Sequence, residues 1–200
     1  MTIKSIAETS YAGMFKVAFT EGASLFIRQE YLNSINVYDI LPEVDYSNEQ
    51  TDELLDAGLA STVELKAVNY LARAEQSRFG LTRKLVEKKY DKKYIQMALD
   101  FLESKNYLSD ERFARAWLNG RKINHYEGRT RLMAELQNRG ISKEVSAAAV
   151  QEFFIENNEL EICEKAYQKY IKKGKEGDKL IAAMMQSGFS YKMIREVQEN

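Results

Sequence analysis

The sequence is short of the residues that usually announce chemistry. It has one proline (Pro42), one cysteine (Cys163) and one histidine (His125) in 200 residues. A single cysteine excludes an intrachain disulfide and fits a reducing compartment. A lone histidine, in the loop "INHYEG", has neither a second histidine nor a usable cysteine to complete a zinc site. No apolar run approaches the ~18 residues of a membrane helix. The opening "MTIKSIAETSYAG" lacks the apolar stretch of a signal peptide, so the expected location is the cytoplasm. No phosphate-binding glycine loop and no serine-centred elbow occurs. The carboxylates of "YDKKY" and "DER" stand at helix starts, where they complement the dipole. The chain is therefore expected to be no enzyme and to need no metal or cofactor.

Charge is present in quantity, and it is uneven. Residues 1–60 hold ten acids and three bases, a balance of −7. The total is −1, so residues 61–200 carry +6. An acidic head on a basic body can signal contact with a polyanion by the body, although helical surfaces are commonly rich in Lys and Glu.

The head reads differently from the rest. "MFKVAF" (14–19) and "ASLFIR" (23–28) alternate like strands around "TEG", and Gly22 suits a tight hairpin. "SNEQTDELLDAG" reads as a helix opened by a Ser47–Gln50 capping box and closed at Gly58. A second capping-box spacing, Ser61–Glu64, opens the next helix, over 62–77.

Beyond it one pattern is written three times. Leu81, Leu132 and Leu180 align, as do Leu85, Leu136 and Met184. Next come Tyr90, Ile141 and Phe189, then Asp91, Ser142 and Ser190. Such self-similarity marks a repeat protein. Each copy reads as helix, tight hinge, helix: leucines four apart share a helix face. Gly140 and Gly188 permit the left-handed residue that closes a helix, and Lys89 stands there in the first copy. Asp or Ser then caps the next helix. Further helices at 110–124 and about 159–173 precede the second and third pairs. The expected fold is mainly all-α: tandem three-helix repeats in an elongated curved array, with a small N-terminal extension containing a β-hairpin. The expected divisions are 1–60 for the acidic extension, then repeats over 61–107, 108–156 and 157–200.

The block "LESKNYLSDERFARAWLNGRKINHYEGRTRLMAELQNRGIS" (102–142) resembles the RecX family of bacterial regulatory proteins. Leu108, Ser109, Asp110, Phe113, Ala114, Arg121, Gly128, Glu135, Leu136, Arg139, Gly140 and Ile141 fit that family's pattern. The first copy fits the family's opening with one departure, Gly80 in place of a glutamate. The resemblance implies a non-enzymatic modulator that binds the RecA–single-stranded DNA filament along its groove. It also implies inhibition of recombinase, ATPase and co-protease activities in DNA repair and the SOS response. Direct DNA binding is a further implication.

The middle copy is rich in arginine. Residues 112–139 hold seven bases against Glu127 and Glu135. Arg131, Glu135 and Arg139 lie four apart along one flank, which fits an intrahelical ladder worth ~0.2–0.5 kcal/mol per pair. The other reading is a face for acidic protein or phosphate, and the resemblance favours it. Candidate contacts with the filament are then Arg115, Arg121, Lys122, Arg129, Arg131 and Arg139. The helical wheel points Arg115 and Lys122 outward, places Arg131 and Arg139 on a flank, and puts Arg121 at the border. Leu108, Asp110, Phe113, Trp117, Gly128, Leu136, Gly140 and Ile141 are read as structural. No membrane contact is expected, and the chain is expected to be monomeric. Two rivals remain: a DNA-binding protein using a hinge pair as a helix-turn-helix, and a helical scaffold for another acidic protein.

Overall fold

The computed structural model describes residues 2–121 and 125–199. Among them are nine α-helices and one three-stranded antiparallel sheet in the order β1-β2-β3. The chain divides into two compact units, Met1–Ala74 with Leu81–Leu108, and Glu75–Gly80 with Ser109–Asn200.

The first unit is built on the sheet and one long helix. Strands β2 (Met14–Phe19) and β3 (Leu25–Arg28) form the expected hairpin, and Gly22 holds φ +98° in its turn. A third strand, β1 (Ile3–Glu8), pairs with β2 through an irregularity between Ile3 and Ser5. Helix α1 runs without a break over Asn48–Leu71. Its start is the Ser47–Gln50 capping box, with Gln50 N–H donating to Ser47 Oγ (3.2 Å) and Ser47 N–H to Gln50 Oε1 (3.0 Å).

Four expectations are corrected here. Gly58 does not end a helix: it lies inside α1, buried, where a Cβ would press on Leu25 of β3. Ser61 and Glu64 do not cap a new helix. They face inward, and Glu64 takes Arg28 Nε on both carboxylate oxygens (2.8 and 2.7 Å) and the Tyr31 hydroxyl (3.0 Å). The division expected at residue 61 therefore falls inside one helix. The physical cause is the run of small buried residues Ala57, Gly58, Ala60 and Ser61, which lets β3 approach closely enough to hold the helix together. The helix also stops at Leu71, short of the expected 77.

Helices α2 (Arg78–Glu87) and α3 (Lys92–Ser104) follow, and α3 packs along α1. In the second unit, α4 (Asp110–Arg121), α5 (Arg129–Gln137) and α6 (Lys143–Glu156) enclose one apolar cluster around Leu118, Leu132, Leu136 and Val150. Helices α7 (Glu159–Lys172), α8 (Gly177–Gln186) and α9 (Tyr191–Glu199) enclose another around Cys163, Leu180, Met184 and Ile194.

The three hinges share one geometry. Lys89, Gly140 and Gly188 hold φ of +64°, +82° and +95°. In each, the following residue reaches back five: Tyr90 N–H to Leu85 O (3.3 Å), Ile141 N–H to Leu136 O (3.2 Å) and Phe189 N–H to Met184 O (3.4 Å). This is the Schellman closure, which satisfies carbonyls that the helix end leaves free. Asp91, Ser142 and Ser190 then cap the next helix through Lys93, Val145 and Met193 N–H. The aligned residues Leu81, Leu132, Leu180, Leu85, Leu136 and Met184 are all buried.

Candidate interaction surface

A joint appears twice in the second unit, joining the start of one helix to the hinge of the next three-helix group. At the start of α2, the Ser77 hydroxyl donates to Arg139 O (2.9 Å), and Arg78 N–H donates to Asp110 Oδ1 (2.8 Å). At the start of α5, Gly128 N–H donates to Ser187 O (2.8 Å), and Arg129 N–H donates to Glu159 Oε1 (3.1 Å). Asp110 and Glu159 thus cap helices that are not their own. Burial pushes the Asp110 carboxyl above the usual range, against the opposing hydrogen bond from Arg78 N–H. The joints also fix where glycine is required. A Cβ on Gly140 would overlap Phe79, and one on Gly188 would overlap the Arg131 backbone.

The arginines of the middle group are paired inside the unit. Arg121 forks onto Glu127, with Nε at 2.8 Å and Nη2 at 2.9 Å. Arg131 meets Glu135 at 2.6 Å, and Arg139 meets the other oxygen of Glu135 at 2.7 Å. The Arg139 hydrogen bond, with Arg131 beside it, holds the Glu135 carboxyl below the usual carboxylate range, and Glu127 raises the Arg121 guanidinium further. The guanidinium carbons of Arg139 and Arg121 lie 4.6 and 5.3 Å from the centre of the Trp117 ring. Arg112 pairs with Glu75 (2.8 Å), Arg115 with Glu152 (2.8 Å) and Arg129 with Glu159 (3.5 Å).

Among the described residues of this stretch, six arginines thus meet five glutamates, which leaves one surplus cation where the sequence alone suggested a strongly basic face. The flank ladder is present. Arg115, Arg131 and Arg129 keep exposed rims, whereas Arg121 is half-buried; Lys122 lies outside the described residues. Arg139, which the helical wheel places on a flank, also stacks on the Trp117 ring. Sequence reasoning missed Glu75, Glu152 and Glu159, which reach the arginines across helices and carry no local signal. Glu127 and Glu135 were visible through their spacing of four from Arg131.

Of the structural residues, Leu108, Leu136 and Ile141 are buried, Phe113 and Trp117 pack partly buried on the middle cluster, and Gly128 faces Gly188 across the second joint. His125 is exposed, and Tyr126 packs against the last cluster. Burial pushes the Cys163 thiol up to about 12, which makes it an inert apolar filler.

These features define a class: a tandem three-helix-group protein in which helix starts dock on hinges. No helix among the described residues is long and apolar enough to cross a membrane. Family models for the first and second three-helix domains of RecX match residues 65–102 and 109–150. The "Regulatory protein RecX" of Treponema pallidum (strain Nichols) is 32% identical over 132 residues, spanning 66% of this chain and 80% of that protein. That of Clostridioides difficile (strain 630) is 27% identical over 158 residues, spanning 76% and 74%. The chain belongs to the RecX family of regulatory proteins. Its fold also matches a solved structure of regulatory protein RecX, with a TM-score of 0.78 at 14% identity over 100% of this chain and 99% of that one. A second match, RecX from Lactobacillus salivarius, has a TM-score of 0.61 at 18% identity over 70% and 95%.

Proposed function

We propose that this chain is a cytoplasmic, non-enzymatic regulator that binds the RecA–single-stranded DNA filament along its groove. It inhibits the recombinase, ATPase and co-protease activities of RecA in DNA repair and the SOS response, by occupying the groove and resisting rearrangement of adjacent subunits. The supporting observation is the pair of RecX three-helix domains, in the same order and in one chain with relatives named regulatory proteins. The chain acts as a monomer, with group boundaries near 108 and 157. The contact residues are the exposed rims of Arg115, Arg129 and Arg131; Lys122, which lies outside the described residues, is a contact candidate from the sequence alone. Arg121 and Arg139 support that face from within, through Glu127 and Glu135.

Co-sedimentation over a salt series separates this reading from an autonomous DNA-binding protein. With RecA–DNA filaments the protein should pellet. With bare single-stranded DNA it should remain in the supernatant at physiological salt. Pelleting with bare DNA, lost steeply as salt rises, would instead support direct phosphate contact.

A further inference from the structure

The two joints obey one rule, and the first hinge breaks it at every point. A joint needs glycine at the hinge, because the docked helix start occupies the space of a Cβ at Gly140 and at Gly188. It needs an acid from the incoming side of the next group, supplied by Asp110 and Glu159. The buried residues Val63, Ala114 and Cys163 set the register of the opening helices. In that register Leu59 stands where Asp110 and Glu159 stand, Lys88 where Arg139 and Ser187 stand, and Lys89 where the glycines stand. Leu59, Lys88 and Lys89 are all exposed. Lys89 holds φ +64°, a conformation that costs any side chain and that glycine adopts freely.

The complementary half lies in the last group. The start of α8, aligned with Ser77 and Gly128, is Glu176. It is exposed, and no side-chain cap closes that helix. Lys173, Lys175 and Lys179 flank it.

We propose that the first hinge is a docking surface for the α8 start of a second copy, held shut by Lys89, Lys88 and Leu59. The Lys89 Cβ stands in the space a helix start would take, no acid waits at position 59, and lysines face lysines. Contact between unlike ends of identical chains is head-to-tail, and it grows into filaments unless its rotation closes a ring. Tandem-repeat proteins therefore need ends that refuse another unit, and repulsive elements are one way to build them. The strain at Lys89 is retained for this reason. The inference rests on the monomeric state proposed above and is independent of any RecA contact.

Sedimentation velocity of the full chain across a concentration series tests it, with far-UV circular dichroism on every variant. The parent should give a sedimentation coefficient that does not rise with concentration. Leu59→Asp/Lys88→Ser/Lys89→Gly, which rebuilds the hinge with the acid of the first joint and the serine and glycine of the second, should give one that does. Adding Glu176→Trp, which blocks the helix start, should restore the parent's behaviour. Replacing Lys89→Gly by Lys89→Asn, which tolerates φ > 0 but keeps a Cβ, should also restore it. If the triple variant unfolds, Lys88→Ser/Lys89→Gly, which leaves α1 untouched, should still show a rise, smaller because no acid stands at position 59. Four results overturn the proposal: a folded hinge variant that stays monomeric, a parent that self-associates, an asparagine version that associates like the glycine version, or association that survives Glu176→Trp.

Discussion

Gly140 meets two demands at once, whereas Lys89 faces only the left-handed one, at the cost of strain. At Gly140 the backbone is left-handed and a Cβ would overlap Phe79. Gly140→Val therefore combines a left-handed penalty of about 1–2 kcal/mol with an overpacking cost of about 1–3 kcal/mol. The unfolding free energy from chemical denaturation should fall accordingly, by about 2–5 kcal/mol in all; a value within roughly 1 kcal/mol of the parent would contradict the joint geometry. Lys89→Gly should move the other way and stabilise by about 0.5–1 kcal/mol, because only the strain is removed. The contrast between the two positions cannot be read from either residue alone.

Glu135 gives a pH signature at the same scale. Its carboxyl is held below its ordinary value of 4.5 by Arg139 first and Arg131 second. A depressed carboxylate contributes stability above its unfolded pKa and loses it as pH falls through the folded value. Glu135→Gln should therefore melt below the parent at pH 7, and the gap should close as pH drops below 4.5. A gap independent of pH would mean that packing, and not charge, is what the substitution removed.

At the scale of elements, what was legible in the sequence was local. Each hinge writes its leucines, its left-handed residue and its cap within about fifteen positions, and all three are found as read. What was illegible depended on distant partners. Strand β1 is interrupted by the irregularity between Ile3 and Ser5, which breaks the alternation a strand would show. Gly58 looked like a helix stop because the approach of Leu25 across the sheet–helix interface leaves no trace in the neighbouring residues. The basic face of the middle group looked open because Glu75, Glu152 and Glu159 lie thirty or more positions from the arginines they meet. Charge counted along a window overstates charge presented to a partner.

The element that holds α1 to the sheet also yields an expected outcome. Glu64 is 2% exposed, and Arg28 reaches it while lying over the Phe101 ring at 4.7 Å. Arg28→Ala leaves a buried carboxylate without its cation, a loss that typically costs about 3–5 kcal/mol. Arg28→Ala/Glu64→Leu removes both charges and should recover a large part of that cost. Failure of the double variant to recover stability would show that the Phe101 stack and the Ala12 carbonyl contact (2.6 Å) matter more than the ion pair.

At the scale of the whole molecule, the proposed role rests on membership of the RecX family and on two three-helix domains in tandem. The paired arginines separate folding from binding less cleanly than an open basic patch would. Exposed pairs contribute only ~0–1 kcal/mol each, so Arg115→Glu/Arg129→Glu/Arg131→Glu should keep most of the melting temperature. Juxtaposed like charges at an interface cost several kcal/mol, so the same variant should lose most of its effect on RecA. The most direct measurement is the single-stranded-DNA-dependent ATPase of RecA, with the purified chain titrated in. Titration should give a saturable fall in ATP turnover that the triple arginine variant, still folded, fails to produce. An ATPase rate unchanged by saturating protein would contradict the proposed role.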